Sequence, residues 1–228
     1  YPLPGVKVIT NKKNKGYGAS LKRGLRHAEH DWVGITDADG TYPAKEFRRL
    51  LDEESDLVIG RRDRSGIPFL RRFPKFLLRN FAGHLAGRRI PDLNSGMRVF
   101  RKEMAMQFYG LYPEGFSFTS TLTIAALTNG YEVRWVDIPY HKRIGKSSIH
   151  PIKDTIGFFK LVFRLSLYFN PSRFFTPITL LLLAGAVARG VRDIMVEGAL
   201  GGLSLILFFM AFQVFFFGLL ADIISKRT

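Results

Sequence analysis

The stretch ITDADGTYP, from Ile35 to Pro43, decides how the first part of the chain is read. It overlaps an apolar run, WVGIT (Trp32–Thr36), and ends in a proline typical of a helix start. Two similar runs, VKVIT (Val6–Thr10) and DLVIG (Asp56–Gly60), lie on either side, with helical patterns in between. Strand, helix, strand, helix, strand at this spacing predicts an α/β domain with a parallel sheet and crossover helices.

Two carboxylates, Asp37 and Asp39, follow the second predicted strand one residue apart. In open sheets of this kind, ligands bind beyond the carboxyl ends of the strands. With the small Ala38 between them, the two side chains can offer oxygens to a divalent cation that also holds a substrate diphosphate. A solvated turn is the simpler alternative, because Asp and Gly are common turn residues. Spacing alone leaves both interpretations open.

Composition narrows the class of partner. The formal net charge is +15, which favours an anionic partner such as nucleic acid, a lipid surface or a phosphorylated substrate. The absence of cysteine excludes a disulfide framework and a thiolate metal site. The chain begins with Tyr1 and has no signal-peptide pattern, so we expect it to be a fragment that lacks its natural start.

The last third of the chain is apolar. Residues 174–188 and 198–221 form uncharged runs of 15 and 24 residues. As helices they would measure ~23 and ~36 Å, against a hydrocarbon core of ~30 Å. We therefore predict a transmembrane hairpin with spans at about 173–190 and 198–222, joined by residues 189–197. Cations on both sides of it favour a cytoplasmic location for both ends: Lys153, Lys160, Arg164, Arg173, Lys226 and Arg227.

The segment before the hairpin, residues 151–172, has a narrow cationic stripe on an otherwise apolar helix. Lys153, Lys160 and Arg164 lie within ~40° of one another at ~100° per residue. This pattern predicts a helix that lies in the membrane interface. A core helix of the soluble domain is the alternative.

Six motifs in the first part of the chain occur in a recognisable order. They are NKGYGASLKRG (Asn14–Gly24), ITDADGTYP (Ile35–Pro43), DLVIGRR (Asp56–Arg62), IPDLNSGMRVFRKE (Ile90–Glu103), YPEGFSFTSTLT (Tyr112–Thr123) and YHKRIGKSSIHP (Tyr140–Pro151). Together they resemble the family-2 inverting glycosyltransferases of GT-A fold, in the dolichyl-phosphate mannose synthase-like branch that glycosylates polyprenyl phosphates. The resemblance covers roughly residues 6–171, and the hairpin looks like the membrane anchors of that branch.

The resemblance implies the residues on the donor side. Asp39 matches the carboxylate that binds Mg²⁺ or Mn²⁺, and Asp37 matches the one that lies against the nucleotide sugar and assists the metal. Further implied donor-binding residues are the small residues of a turn and two cations of a loop that closes over the diphosphate: Gly16, Gly18, Ala19, Arg143 and Lys146. The implied donor is a nucleotide sugar of the GDP-mannose or UDP-glucose type.

The resemblance also implies the acceptor side. Arg61 matches an arginine near the acceptor phosphate, so that the implied catalytic set is Asp37, Asp39 and Arg61. The other implied acceptor-phosphate-binding residues, where the match slips by several positions, are Arg72, Lys75 and Arg79. Family members normally begin with two further strands that hold the nucleoside, and these are not present in this sequence.

The residues themselves bear on the type of acceptor. A sugar hydroxyl needs a general base, whereas a phosphate monoester with a second pKa of ~6 is already an anionic nucleophile at neutral pH. Residues 115–123 contain no carboxylate, and residues 61–102 contain twelve Arg or Lys but only two acids, Asp63 and Asp92. This imbalance favours a phosphate acceptor presented at an anionic membrane. The resemblance implies that this acceptor is a dolichyl or undecaprenyl phosphate.

The sequence therefore predicts three parts: a partial GT-A catalytic domain (1–150), an amphipathic interfacial helix (151–172) and a transmembrane hairpin (173–228). The predicted function is metal-dependent, inverting transfer of one hexose to a polyprenyl phosphate on the cytoplasmic side of a membrane, with membrane lipid and no nucleic acid as partner. Alternatives are a transferase acting on a sugar hydroxyl, with Asp92 or Glu114 as base, and a non-catalytic membrane scaffold. A nucleic-acid binder would also be basic, but no stacking aromatic ladder is present. Sugar identity and oligomeric state are not predicted.

Overall fold

The structure is a computed structural model that describes residues 5–62, 79–80, 82–84, 86–115, 117–141 and 151–226, without the side chains of 151–156, 158–159 and 162. Four of the predicted site residues lie outside these ranges: Arg72, Lys75, Arg143 and Lys146.

A four-stranded mixed sheet forms the centre of the catalytic domain. Its strands are β1 (Trp32–Ile35), β2 (Leu57–Arg62), β3 (Arg98–Arg101) and β4 (Val133–Ile138), in the order β1-β3-β2-β4. Strand β3 runs antiparallel to both β1 and β2, whereas β2 and β4 are parallel. The α/β class is confirmed, but the prediction of an all-parallel sheet is wrong. The reason is that β3 enters the sheet near the edge at which β2 ends, because Arg98 at the start of β3 pairs with Ile59 in the middle of β2, and later residues of β3 pair back toward Leu57.

The predicted first strand, VKVIT, is also wrong. Residues 6–10 have no regular structure, and Val8 is 83% exposed. A strand is stabilised by a neighbour that satisfies its backbone groups. No strand in the described part of the chain pairs with these residues.

Short helices and one long buried helix cover the sheet. They are α1 (Tyr17–His27), α2 (Glu46–Leu51), α3 (Lys102–Gln107), a 3-10 turn (Tyr109–Leu111) and α4 (Phe118–Thr128). Helix α2 begins at Glu46, three residues after Pro43, and ends at Leu51. Residues 118–127 of α4 are all buried, and they pack on the main core with Leu57, Ile59 and Phe100 of the sheet. This core fixes the strand ends that carry the polar residues.

Three longer helices follow the sheet domain: α5 (Pro151–Phe169), α6 (Pro171–Glu197) and α7 (Gly202–Ser225). Helix α5 contacts the domain core through Leu165, which is buried, and through Phe169, whose ring lies 5.9 Å from that of Phe108. Lys160 and Arg164 are exposed. The packing combines features of both predictions for this helix, since one side rests on the core while Lys160 and Arg164 face outward.

Helices α6 and α7 are long and apolar enough to cross a membrane. Only 11% of the most apolar 18-residue stretch of α6 and 17% of that of α7 are buried in the protein. Such low burial is unlike that of a core helix in a soluble domain and favours the predicted hairpin. The two helices run antiparallel, because Ser172 at the start of α6 donates to Asp222 near the end of α7 (3.1 Å). At the far end, the backbone N–H of Gly201 donates to Asp193 (3.2 Å).

The first span is longer than the sequence predicts. Residues 189–197, expected to join the two spans, continue α6, and the connection is the short turn 198–201. Arg189 and the fully buried Asp193 form an ion pair one helical turn apart, 2.9 Å between Nε and Oδ1, which stabilises the helix beyond the uncharged run. Gly198, with a φ of 74°, then ends α6 in the left-handed region that favours glycine.

Candidate active site

The polar residues of the site meet at one edge of the sheet. The register pairs Ile35 with Arg98 and Ile59 with Arg98, and places Arg61 beside Asp137 on the parallel strand β4. The ends of β1, β2 and β4 and the beginning of β3 therefore lie together. In doubly wound sheets, this is the edge at which ligands bind.

The loop after β1 holds the two predicted carboxylates, both half-buried. The Oδ1 atom of Asp39 accepts hydrogen bonds from the backbone N–H (3.2 Å) and the hydroxyl (2.6 Å) of Thr41. Gly40, with a φ of 73°, permits this tight turn. Asp39 is therefore oriented by its own loop in an Asx turn, and its role in metal binding stays a prediction.

Asp37 is held by two other parts of the chain. The hydroxyl of Tyr17, at the start of α1, donates to Asp37 Oδ1 at 3.3 Å. On the other side, Gly96 lies so close that a Cβ atom there would be 2.3 Å from Asp37 Oδ2. Burial, followed by the negative charge of Asp37, raises the pKa of Tyr17. Tyr17 consequently stays a neutral donor to this carboxylate at physiological pH.

The predicted donor turn packs against another loop of the protein. A Cβ at Gly16 would lie 2.7 Å from the carbonyl oxygen of Glu114, and one at Gly18 would lie 2.1 Å from that of Pro113. The backbone N–H groups of Gly18 and Ala19 donate to the carbonyls of Gly115 (2.9 Å) and Glu114 (2.7 Å). The small residues thus allow close contact between two backbone segments beside Tyr17. Their role in donor binding stays a prediction.

Arg61 and Arg62 end β2 on opposite sides of the sheet, as neighbouring residues of a strand do. Arg61 is exposed and forms a two-pronged ion pair with Asp137. The hydrogen bonds between these two side chains lower the pKa of Asp137 and raise the pKa of Arg61. Of the other predicted acceptor residues, Arg79 is described and donates to the carbonyl of Pro91 at 3.3 Å.

Arg62 was missed by the sequence analysis. It binds both carboxylate oxygens of Asp92, with Nε to Oδ2 at 2.8 Å and Nη2 to Oδ1 at 2.9 Å. Burial opposes the charge of Arg62, but the hydrogen bonds and charge of Asp92 outweigh it, and the pKa of Arg62 is raised. Asp92, one of the two alternative bases, is fully buried in this pair. The sequence contained a signal for Arg62, because neighbouring residues of a strand point to opposite faces and the second arginine of DLVIGRR therefore faces inward when the first is exposed.

A second buried arginine, Arg98, lies under the site. Its guanidinium donates to the carbonyl of Ser95 (2.5 and 3.2 Å), the carbonyl of Thr119 (2.7 Å) and the hydroxyl of Thr123 (2.9 Å). Burial lowers the pKa of Arg98 to about 10, so that it remains charged at neutral pH. It joins the Asn94–Gly96 loop to α4, and its charge lies under the Asp37 region.

Helix α4 contributes hydroxyls and no acid to the site. Its first turn follows Ser117, which has a φ of 94°, and the hydroxyl of Ser120 donates to the side chain of Asn94. On the other wall, Tyr42 accepts a hydrogen bond from the backbone N–H of Gly96 (2.9 Å), and its ring contacts Tyr140 at 5.2 Å. The ring of Tyr140 also lies 5.5 Å from the Arg62 guanidinium. The described residues of the loops at this edge are therefore packed against one another.

An α/β domain with a carboxylate pair and arginines at its ligand edge, followed by an apolar helical hairpin, defines a class of membrane-associated transferase domain. Residues 2–108 match the model of glycosyl transferase family 2, and residues 170–226 match the GtrB C-terminal hairpin. The chain thus carries a match to glycosyl transferase family 2 followed by a match to the GtrB C-terminal hairpin. The recognition made from the motifs is confirmed.

Individual relatives agree with this assignment. The chain is 29% identical over 153 residues to a dolichyl-phosphate hexose transferase of Haloferax volcanii, with 64% of this chain and 66% of that protein covered. It is 31% identical over 146 residues to a polyprenol monophosphomannose synthase of Mycolicibacterium smegmatis, with 59% and 55% covered. The chain therefore spans less than two thirds of the length of these relatives. Among solved structures, the chain aligns with glucosyl-3-phosphoglycerate synthase from Mycobacterium tuberculosis, which was solved in complex with Mn²⁺, UDP and phosphoglyceric acid. The TM-score is 0.49 and the sequence identity is 18%, and the alignment covers 72% of this chain and 57% of that one.

Proposed function

We propose that the protein is a membrane-bound glycosyltransferase that moves one hexose from a nucleotide sugar to a polyprenyl phosphate with inversion at the anomeric carbon. The observation that carries the proposal is the meeting of a fixed carboxylate pair, Asp37 and Asp39, with the arginine end of β2 at one sheet edge. The names of the two relatives, a dolichyl-phosphate hexose transferase and a polyprenol monophosphomannose synthase, support this class of reaction. The proposed donor is a nucleotide sugar of the GDP-mannose or UDP-glucose type.

The carboxylate pair suits a divalent cation shared with the donor. Asp39 and Asp37 offer oxygen ligands, which Mg²⁺ and Mn²⁺ prefer. Among the residues that the structure describes, no cluster of three or more His, Cys, Asp or Glu side chains could hold a metal by itself. Asp39 and Asp37 would therefore share the ion with diphosphate oxygens and water. When bound, such an ion neutralises charge on the departing diphosphate. Gly16, Gly18, Ala19, Arg143 and Lys146 complete the proposed donor side.

The acceptor is proposed to attack without a protein base. An oxygen of the polyprenyl phosphate forms a bond to the anomeric carbon, while the bond from that carbon to the diphosphate oxygen breaks and the nucleoside diphosphate leaves with the electron pair. No proton has to be removed, because the phosphate is already anionic at neutral pH. Two facts agree with this route: Asp92 is committed to Arg62, and residues 115–123 contain no carboxylate.

The acceptor phosphate and the donor diphosphate are both negatively charged, so cations are needed where the phosphate approaches the diphosphate. Arg61 is exposed at the end of β2, and Arg79 lies near Pro91. With Arg72 and Lys75 these residues form the proposed acceptor-phosphate site. Asp137 neutralises Arg61 in its present arrangement, so that an arriving phosphate would compete with Asp137 for the same guanidinium.

The membrane arrangement is proposed to bring the acceptor to this site. Helix α5 would lie in the interface, and the α6–α7 hairpin would place both of its ends on the cytoplasmic side. Lys160, Arg164 and Arg173 before the hairpin and Lys226 after it follow the excess of cations typical of that side. The polyprenyl tail can then stay in lipid while its phosphate reaches the sheet edge.

Acceptor discrimination by the full-length protein in lipid nanodiscs tests the proposal. We expect transfer from a nucleotide sugar to polyprenyl phosphate, abolished by chelator and restored by Mg²⁺ or Mn²⁺, and no transfer to free polyprenol or a soluble sugar. Efficient transfer to a sugar hydroxyl that is lost in Glu114→Gln would replace this reading with a base-dependent transferase. Absence of transfer with every donor and acceptor would favour the scaffold alternative.

A further inference from the structure

A cavity of about 950 Å³ lies between the catalytic domain and the first membrane helix, away from the carboxylate pair. One wall comes from the described residues between 79 and 90, and the other comes from the first turns of α6. Its basic lining consists of Arg79, which the proposed acceptor-phosphate site shares, and of His84, Arg88, Arg89 and Arg173. Its neutral polar lining consists of Asn80, Ser172 and Thr176. The described residues that line it include no Asp or Glu.

The cavity changes character along its length. Its apolar lining consists of Ile90, Pro177 and Leu180. Leu180 follows Arg173 by seven residues, or ~10 Å along the helix axis. With Arg173 at headgroup level, Leu180 reaches the acyl boundary. The cavity therefore offers cations at the membrane surface and an apolar floor below them, which suits a phosphate-headed amphiphile.

The wall is built from close contacts that position its cations. A Cβ at Gly87, which has a φ of 68°, would lie 2.0 Å from the guanidinium of Arg173, so that only glycine leaves room for this side chain. Arg173 donates to the carbonyl of His84 at 3.3 Å, and the His84 ring nitrogen Nε2 lies 3.3 Å from the carbonyl of Arg173. Arg88 and Arg89 are exposed beside this junction.

We propose that this junction cavity is a binding site for the headgroup of an anionic bilayer phospholipid, which fixes the catalytic domain on the membrane. Anionic phospholipids are concentrated at the cytoplasmic surface, and basic pockets beside membrane helices bind their headgroups. The polyprenyl phosphate has the same chemistry, but its phosphate has to reach the carboxylate pair to react. The proposal depends on membrane insertion of α6 and does not depend on the transfer reaction.

Lipid retention by the full chain tests the site. The protein is purified from mixed micelles of phosphatidylcholine and phosphatidylglycerol, and the bound lipid is measured by native mass spectrometry. We expect selective retention of phosphatidylglycerol. The double variant Arg88→Gln/Arg89→Gln should weaken it about fivefold for each arginine removed, since one basic residue near a membrane surface contributes about a factor of five. A matched control is Lys12→Gln/Lys13→Gln, which removes an equal charge from another exposed pair and should change nothing.

A second variant distinguishes binding of lipid in the cavity from general electrostatic attraction of lipid to the basic protein surface. Thr176→Trp fills the cavity without removing charge and should also reduce selective retention. Equal retention of both phospholipids, or unchanged selectivity in the double variant and in Thr176→Trp, would overturn the proposal. A third arm adds undecaprenyl phosphate. Its displacement of phosphatidylglycerol at equal concentration would overturn the phospholipid assignment in favour of an acceptor site.

Discussion

Arg62 and Asp92 form a bidentate ion pair in which the carboxylate is fully buried and the arginine side chain is 22% exposed. The pair connects the end of β2 to the loop that precedes β3. Asp92 also accepts a hydrogen bond from the backbone N–H of Asn94 (3.2 Å), and its own carbonyl accepts one from Trp135 (2.9 Å). The loop that presses Gly96 against Asp37 is therefore anchored by this carboxylate.

Neutralising the buried partner should destabilise the domain. Asp92→Asn leaves the charge of Arg62 without compensation, and we expect a loss of about 3 kcal/mol in the free energy of unfolding. Thermal or denaturant unfolding in detergent measures it. The control is Glu53→Gln, which breaks the exposed pair with Arg134 (3.1 Å) and should cost less than about 1 kcal/mol. Equal effects of the two variants would contradict the anchoring role.

A methyl group at Gly96 should displace Asp37 while the fold survives. The added Cβ would lie 2.3 Å from a carboxylate oxygen at the end of a side chain, which can rotate away at little cost in stability. We expect Gly96→Ala to lower transfer at least about tenfold, since the carboxylate would leave its productive position, with little change in unfolding temperature. Gly24→Ala is the control, because nothing lies within 4 Å of its added Cβ. Normal turnover in Gly96→Ala would mean that the position of Asp37 is unimportant.

Asp39→Asn should abolish metal-dependent transfer. The substitution preserves the shape and an oxygen that can accept from Thr41, but it removes the negative charge that a divalent cation requires. Mn²⁺ binding in the presence of donor, followed by electron paramagnetic resonance, should be lost together with activity. Thr41→Val provides the comparison, since it removes the 2.6 Å hydroxyl bond and retains the carboxylate. Full activity of Asp39→Asn in excess chelator would refute the metal assignment.

Arg61→Ala should impair the use of the acceptor more than that of the donor. We expect the KM for polyprenyl phosphate to rise about tenfold or more, because a charge-assisted contact contributes roughly 1.5–3 kcal/mol, whereas the Kd for the nucleotide sugar should change little. Arg134→Ala is a matched control, since Arg134 is an exposed, ion-paired arginine on the same sheet. A parallel rise in both constants would place Arg61 on the donor side instead.

The pKa of Asp137 should depend on Arg61. Hydrogen bonding to Arg61 lowers this pKa in the folded protein, so the pair stabilises the fold above the unfolded pKa of Asp, and the contribution is lost as pH falls through the folded value. Titration of the carboxyl carbon by NMR should give a pKa below ~3.9, returning toward that ordinary value in Arg61→Gln. An unchanged titration in the variant would show that the ion pair does not form in solution.

The sequence by itself determined the class of the domain, the position of the carboxylates and the apolar hairpin. These features depend on local patterns: strand-length apolar runs, a paired-Asp turn after a strand, and uncharged stretches long enough for a membrane. Helix α6 continues beyond its predicted end through charged residues, and the ion pair of Arg189 with Asp193 one turn apart stabilises this extension.

The tertiary structure decided which residues meet. The antiparallel insertion of β3 brings Gly96 to Asp37 and Asp92 to Arg62, although 59 residues separate the first pair and 30 separate the second. No local pattern encodes these contacts, because strand order depends on contacts between residues far apart in the sequence rather than on the propensity of any one strand. Likewise, a buried arginine such as Arg98 is indistinguishable in sequence from an exposed one. Only the arrangement of carbonyl and hydroxyl oxygens from Ser95, Thr119 and Thr123 around its guanidinium makes burial of that charge possible.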